Sequence, residues 1–264
     1  MYNNSFESFA GNFWLNLTIA ALSYLGAMGF IVFVDVWRRI TNKIQQVTLT
    51  TKIILHCTFW VSLAATFIFF VSEPSIQSLP IEKRLMASVF QAMTSMTTVG
   101  FNTVRIAGIS RASLLLLTVL MIIGASPSGT GGGLKSTTFT ALLGIMKSAL
   151  RGEQDVYFWG RRIPDKRVRW AVASSCFYVT VLVIGTYLLS LTEQGDFEAI
   201  LFEAASALGT VGLSTGITPL LSDMGRIIVT FLMFVGRLGP LTFGISLFLS
   251  RKALMGLQDE DVAM

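Results

Sequence analysis

Two copies of the tripeptide Thr-Val-Gly, Thr98-Val99-Gly100 and Thr210-Val211-Gly212, lie 112 residues apart on this chain. They end matching segments that begin at Phe90 and Phe202, and the register holds without a gap. Backbone carbonyls can replace the water shell of a cation without burying a charge, and glycine adopts the required backbone conformation at little steric cost. We therefore expect two ion-filter loops, completed by Phe101 and Leu213, with potassium held by the backbones of Thr98, Val99, Gly100, Thr210, Val211 and Gly212.

The composition is that of an integral membrane protein. Of the 264 residues, 53% are hydrophobic and 13% are charged, whereas soluble domains carry about 25% charged residues. The net charge of +5 does not indicate nucleic-acid binding, because the basic residues lie in loops between apolar segments. This apolar composition predicts a lipid bilayer as partner. The chain has one histidine and no Ser/His/Asp or paired-carboxylate arrangement, so we expect no enzymatic activity.

Five apolar stretches are long enough to cross about 30 Å of hydrocarbon as helices: residues 13–37, 53–71, 112–150, 168–191 and 225–249. The third is too long for one span and is broken by glycines and a proline. Two shorter apolar segments, 85–96 and 197–208, precede the tripeptides and are predicted to be re-entrant half-helices. The predicted fold is all-α, with repeated helix–pore loop–helix units around a central cation pore and with broken inner helices.

Charge orients these segments. Thirteen Lys and Arg residues fall on one side if the spans alternate, and five fall on the other. Since the richer side is cytoplasmic, we expect a multi-pass protein of the inner (plasma) membrane whose filter loops face outward and whose C-terminus is cytoplasmic.

The repeat divides the chain into five parts. Residues 1–50 hold the inner helix of a preceding repeat and a cytoplasmic loop. Residues 51–150 form one pore repeat, 151–167 a basic cytoplasmic loop, 168–250 a second complete pore repeat and 251–264 a cytoplasmic tail. The same offset aligns Gly124 with Gly236, and Gly26-Ala-Met-Gly-Phe30 interrupts the first span, so each inner helix should break at a similar depth.

Four motifs carry a resemblance to a known family: Thr97-Thr-Val-Gly-Phe-Asn-Thr103, Gly209-Thr-Val-Gly-Leu-Ser-Thr-Gly216, Gly124-Ala-Ser-Pro-Ser-Gly-Thr-Gly-Gly-Gly-Leu-Lys-Ser136 and Gly236-Arg-Leu-Gly-Pro-Leu-Thr-Phe243. Together they resemble the Trk/Ktr/HKT-type potassium transporters, in particular the Ktr-type pore subunit. The match is to the end of the second of four repeats and to the third and fourth. The resemblance thus predicts either a truncated product or two copies that combine.

The resemblance implies the pore-forming subunit of a potassium (monovalent cation) uptake system. It also implies a homodimer on a cytosolic, nucleotide-binding ring of RCK type, with K⁺ as the transported ion and no cofactor bound by this chain. Two other functions remain open from the residues: a non-conducting half-transporter that serves as scaffold or regulatory subunit, and a nucleotide-driven membrane enzyme. The last depends only on a P-loop-like sequence that has Leu134 where the motif needs glycine.

The glycine-rich segment 124–136 cannot form a stable lipid-facing helix. The resemblance implies an intramembrane gate below the filter, whereas a hinge needed only for packing is the alternative. The gate residues would be Gly129, Gly131, Gly132 and Gly133, together with the two basic residues at membrane depth, Lys135 and Arg237.

Each basic residue should face water or a partner, because a charge at a helix centre is costly. The resemblance implies that Arg237 projects into the pore below the filter; an inter-helix salt bridge is the alternative. Lys135 could instead snorkel or pair locally. Glu203 lies opposite Gln91 in the repeat, and we expect it to buttress the filter in preference to binding an ion.

Overall fold

The computed structural model describes residues 4–153, 155–239 and 242–243. Within them nearly all of the regular secondary structure is helical, which confirms the predicted all-α class. The helices are α1 (Phe13–Met28), α2 (Phe30–Ile40), α3 (Leu49–Ser72), α4 (Ile81–Thr97), α5 (Arg111–Ile123), α6 (Ser136–Leu150), α7 (Asp165–Thr192), α8 (Phe197–Leu208) and α9 (Asp223–Leu238). The tail 251–264 and residues 240–241 and 244–249 of the fifth predicted span lie outside the described residues.

Among the described residues, fewer helices span a membrane without interruption than the five predicted stretches suggest. By length and composition, α3 and α7 can each cross a membrane, and α1 with α2 forms a third candidate that is bent by 91°. The third predicted stretch consists of the separate helices α5 and α6. The difference arises because glycine-centred breaks divide the inner helices.

Two units of three helices repeat along the chain. In the first, α4 packs between α3 and α5; in the second, α8 packs against α7 and α9, and α5 joins the units by packing on α8. The pore helices α4 and α8 contain the two short apolar segments, and most residues of these segments are buried. The shared core includes the completely buried side chains Phe69, Met121, Tyr178, Phe202 and Leu208.

The inner helices begin in register and end out of register. Ser110 and Ser222, 112 residues apart, cap α5 and α9 by accepting the amide N–H three residues later. However, α5 ends at Gly124 (φ +68°), whereas α9 continues to Gly239 (φ +86°). The break in α9 therefore comes three residues after Gly236, about 4.5 Å further along the helix, so the two inner helices break at similar depths that differ by nearly one turn.

Gly236 has a different role from that of Gly124. It remains helical, and a methyl group added there would lie 2.1 Å from the carbonyl oxygen of Leu208. This glycine thus lets α9 approach the end of pore helix α8, which the sequence repeat alone does not reveal.

The basic loop between the repeats contains a small antiparallel hairpin of β1 (Tyr157–Phe158) and β2 (Arg161–Arg162). The ring of Phe158 occupies the space left by Gly144 on α6, where an added methyl would be 2.5 Å away. Trp159 packs on His56 of α3, with ring centroids 4.8 Å apart. The hairpin is therefore docked on the helices and is not a free loop.

Candidate functional site

Both predicted filter loops turn in the same way. After α4, Thr98 adopts a left-handed conformation (φ +56°, ψ +38°), and Thr210 does the same after α8 (φ +52°). Gly100 and Gly212 then take φ values of +83° and +93°. Positive φ is costly for a β-branched residue, so the two threonines mark turns that the surrounding structure imposes.

The two filter loops lie against each other through their backbones. A methyl group added at Gly100 would lie 2.0 Å from the carbonyl oxygen of Val211 and 3.3 Å from the Cα of Gly212. At Gly212, in contrast, an added methyl would meet no described atom within 4 Å. The structure therefore brings the two tripeptides together, with close contact at the first glycine and open space at the second.

The glycine-rich loop lies directly beneath both filter loops. The amide N–H of Gly132 donates to Thr98 Oγ1 at 2.8 Å. A methyl added at Gly132 would also be 2.1 Å from the carbonyl oxygen of Gly209, and one at Gly131 would be 2.8 Å from that of Thr97. Only residues without a side chain can approach the ends of both pore helices this closely.

The same loop is attached to the break between α1 and α2. The amides of Ser126 and Thr130 donate to the carbonyls of Ala27 and Gly26 at 3.2 and 3.1 Å. Gly29 (φ +77°) leaves no room for a side chain against the backbone of Pro127. The segment is thus an ordered loop with specific partners on three inner helices.

Both basic residues of the predicted gate donate hydrogen bonds to carbonyls of this loop. Lys135 Nζ donates to the carbonyl of Gly131 at 2.6 Å, and Arg237 Nη1 donates to that of Thr130 at 3.4 Å. Among the described residues, no carboxylate lies within 4.0 Å of Arg237. The proposed inter-helix salt bridge is therefore not found there, and Lys135 pairs locally.

Glu203 and Gln91 lie behind the filter loops. Glu203 accepts a hydrogen bond from the amide of Thr215 at 3.0 Å, and Gln91 accepts one from the equivalent Thr103 at 3.4 Å. Both side chains hold the chain as it returns from a filter loop.

Two carboxylates that the sequence analysis did not select join outer to inner helices. Glu73 follows α3 and accepts hydrogen bonds from the amide and hydroxyl of Ser110 at 3.1 and 3.0 Å. Glu193 follows α7 and binds the amide and hydroxyl of Ser222. The glutamates are 120 residues apart instead of 112, so the repeat register conceals them; a Glu at the end of each outer helix is the available signal.

Comparisons with known proteins place these features in a family. The profile of the TrkH family, described as cation transport proteins, matches residues 1–252. The Ktr system potassium uptake protein B of Bacillus subtilis is 33% identical over 99% of this chain and 59% of that protein. The potassium/sodium uptake protein NtpJ of Enterococcus hirae is 32% identical over 89% of this chain and 53% of that protein.

A solved structure has the same fold. The crystal structure of the potassium transporter TrkH from Vibrio parahaemolyticus superposes with a TM-score of 0.75 at 17% identity, over 96% of this chain and 55% of that one. The chain thus spans somewhat more than half the length of the relatives it matches.

Proposed function

Because the chain belongs to the TrkH family of cation transport proteins, we propose that it forms part of a K⁺ pathway as the pore-forming subunit of a Trk/Ktr-type uptake system. The observation that carries this proposal is the backbone contact between the two filter loops above a glycine-rich loop. Such non-helical backbone is tolerated at membrane depth only where it is buried in protein or lines a wet cavity.

The filter acts through its backbone. The carbonyls of Thr98, Val99 and Gly100, and those of Thr210, Val211 and Gly212, coordinate K⁺ in place of water. The C-terminal ends of α4 and α8, which carry partial negative charge, face the loops and favour a cation there. Each loop has one glycine followed by Phe101 or Leu213, so fewer carbonyl layers form than in a filter with two glycines, and sodium is rejected less strictly.

The glycine-rich loop acts as a gate. Gly129, Gly131, Gly132 and Gly133 fill the space beneath the filter, and Lys135 with Arg237 hold the loop there while adding positive charge that repels cations. Opening of the gate requires the loop to break its hydrogen bonds with the hydroxyl of Thr98, with the carbonyls of α1 and with both basic side chains. K⁺ moves passively down its electrochemical gradient, and no catalytic step is involved.

The assembly and its location are also part of the proposal. We place the chain in the plasma membrane with the basic hairpin and the C-terminus in the cytoplasm, as the excess of Lys and Arg on that side favours. A homodimer on a cytosolic, nucleotide-binding ring of RCK type is supported by the similarity to Ktr system potassium uptake proteins.

Growth of a potassium-uptake-deficient bacterium at low K⁺ tests the function. The 264-residue chain should restore growth and ⁸⁶Rb⁺ uptake relative to an empty vector at equal membrane abundance. Absence of both, with the protein present in the membrane, would refute the conducting role and favour the scaffold alternative.

A further inference from the structure

The two filter loops are supported unequally from behind. The support of each consists of one pore-helix side chain, Gln91 or Glu203, and the segment that returns from the filter. These positions are 112 residues apart, so the repeat places an amide and a carboxylate in equivalent sites.

Glu203 binds the second returning segment at several points. Its Oε1 accepts hydrogen bonds from the hydroxyl of Ser214 and from the amide of Thr215 at 3.0 Å. Its Oε2 accepts one from the hydroxyl of Thr218 at 2.8 Å. The side chain is only 5% exposed, and hydrogen bonds to a carboxylate are roughly twice as strong as those between neutral groups.

The second filter loop also has a hydrogen bond with its pore helix that the first lacks among the described residues. The amide of Gly212 donates to the hydroxyl of Ser206 at 3.2 Å. The equivalent hydroxyl in the first repeat, that of Thr94, has no hydrogen-bond partner within the described protein.

The first repeat shows the opposite pattern. Gln91 makes one long hydrogen bond, to the amide of Thr103. Four buried polar atoms around this segment have no partner in the described part of the chain: Gln91 Nε2, Thr94 Oγ1, Ser95 Oγ and Thr103 Oγ1. No residue of α8 or of the segment 209–218 has such an atom.

The sequence explains the difference. The second returning segment supplies hydroxyls at Ser214, Thr215 and Thr218, whereas the first has Asn102, Thr103 and Ile106 at these positions. Asn102 is held by the N-terminal segment instead of by Gln91: its side-chain amide donates to Glu7 and to the carbonyl of Val104, and its backbone amide donates to Ser5 Oγ at 3.1 Å. A carboxylate is thus matched by donors only in the second repeat.

From this asymmetry we infer that Glu203 is the positioning residue that fixes the second filter loop and sets discrimination between K⁺ and Na⁺. The inference rests on the proposed function. In the snug-fit account of selectivity, a carbonyl site prefers the larger ion because its oxygens resist closing around the smaller one. Glu203 restrains the backbone two and three residues after Gly212.

The test is the ratio of ⁸⁶Rb⁺ to ²²Na⁺ uptake in membranes that contain the full chain. Glu203→Gln places the first repeat's amide in the second repeat and should lower the ratio by roughly tenfold, the equivalent of one hydrogen bond to a charged group. Thr218→Val removes one donor and should lower it less. Glu198→Gln is the matched control, because Glu198 lies on the same helix, is partly exposed and pairs with Arg111 at 3.5 Å, away from the returning segment.

A second measurement examines how firmly Glu203 holds the returning segment. Amide hydrogen exchange of residues 214–218 in the purified chain should be faster in Glu203→Gln than in the unmodified chain and unchanged in Glu198→Gln. Unchanged exchange, or equal losses of Rb⁺ and Na⁺ uptake at a constant ratio, would overturn the inference. Uptake of neither ion by the unmodified chain would instead overturn the proposed function, and with it the selectivity role.

Discussion

Gly100 and Gly212 share a backbone conformation but not an environment. Both have positive φ, yet only Gly100 faces another backbone, the carbonyl of Val211. A side chain at Gly100 must therefore displace the neighbouring filter loop, whereas one at Gly212 enters open space and adds only conformational strain, about 1–3 kcal/mol.

We expect Gly212→Ser to fold and to lower the K⁺/Na⁺ uptake ratio. Gly100→Ser should lower the ratio and also reduce total uptake and thermal stability, because it separates the two loops. Ion-uptake assays and thermal unfolding in detergent measure these effects. Equal uptake ratios before and after both substitutions would refute the filter assignment.

At single positions, the sequence indicates the glycines but not the threonines. The repeat and the tolerance of glycine for positive φ predict Gly100 and Gly212. Nothing in a β-branched residue predicts the left-handed turns at Thr98 and Thr210, because these are imposed by the ends of α4 and α8 and by the loop below. The partners of Glu203 are partly visible beforehand as the hydroxyl-rich segment that follows the second tripeptide.

Among the elements, the glycine-rich loop has the most varied set of partners. It joins the break between α1 and α2, the first filter loop, and the basic residues Lys135 and Arg237. Most of these bonds are made by backbone carbonyls and amides of the loop, and the hydroxyl of Ser126 also donates to the carbonyl of Ala27. Of the two basic residues, Arg237 lies outside the loop, so its bond can be removed without altering the loop's own sequence.

We predict that Arg237→Ala and Lys135→Ala each raise Rb⁺ flux several-fold, because each removes a positive charge below the filter and a hydrogen bond to a loop carbonyl (3.4 and 2.6 Å). Initial uptake rates at equal expression provide the measurement. Arg226→Ala on the same helix is the control, because Arg226 pairs at the surface with Asp223. An unchanged or lower flux would contradict the role of Lys135 and Arg237 in closing the pathway.

The helices differ in how well their bounds follow from the sequence. The apolar segment 197–208 predicts α8 at the bounds observed, and 85–96 predicts α4 apart from its first turn. The end of α9 could not be predicted, because the close approach of Gly236 to Leu208 depends on tertiary packing. The hairpin between the repeats was likewise hidden, since its strands are two residues long and depend on Phe158 packing at Gly144.

Across the whole molecule, Glu73 and Glu193 connect the end of each outer helix to the start of the inner helix in the same unit. They do so by accepting hydrogen bonds from Ser110 and Ser222. Glu73 is completely buried, whereas Glu193 is partly exposed. Loss of a buried acceptor costs about 1–3 kcal/mol. We therefore expect Glu73→Ala to lower the thermal midpoint of the purified chain more than Glu193→Ala; the reverse order would mean that burial does not determine the strength of these connections.

The same carboxylates give a pH dependence. The hydroxyl of Ser222 holds the pKa of Glu193 below its ordinary value of 4.5. Although burial acts to raise the pKa of Glu73, hydrogen bonds from serines outweigh it and the pKa lies below the ordinary value. A carboxylate with a lowered folded-state pKa stabilises the fold above the unfolded pKa, and this contribution disappears as pH falls through the folded pKa.

The stability of the unmodified chain should therefore fall as the pH drops below about 4.5, and part of this fall should be absent in Glu193→Gln. Thermal unfolding in detergent between pH 7 and pH 3 measures it. Parallel curves for both proteins would show that Glu193 contributes nothing to the acid sensitivity.

The extra turn of α9 makes the two quadrants of this pore unlike below the filter. Both inner helices start at equivalent serines, yet α9 carries Arg237 within the added turn while α5 has already ended. The two basic residues below the filter therefore come from different parts of the repeat: Arg237 lies on the inner helix α9 itself, whereas Lys135 lies in the loop that follows α5. The sequence repeat thus continues through the filter loops and ends below them, where each unit is expected to present its charge to a passing ion from a different backbone.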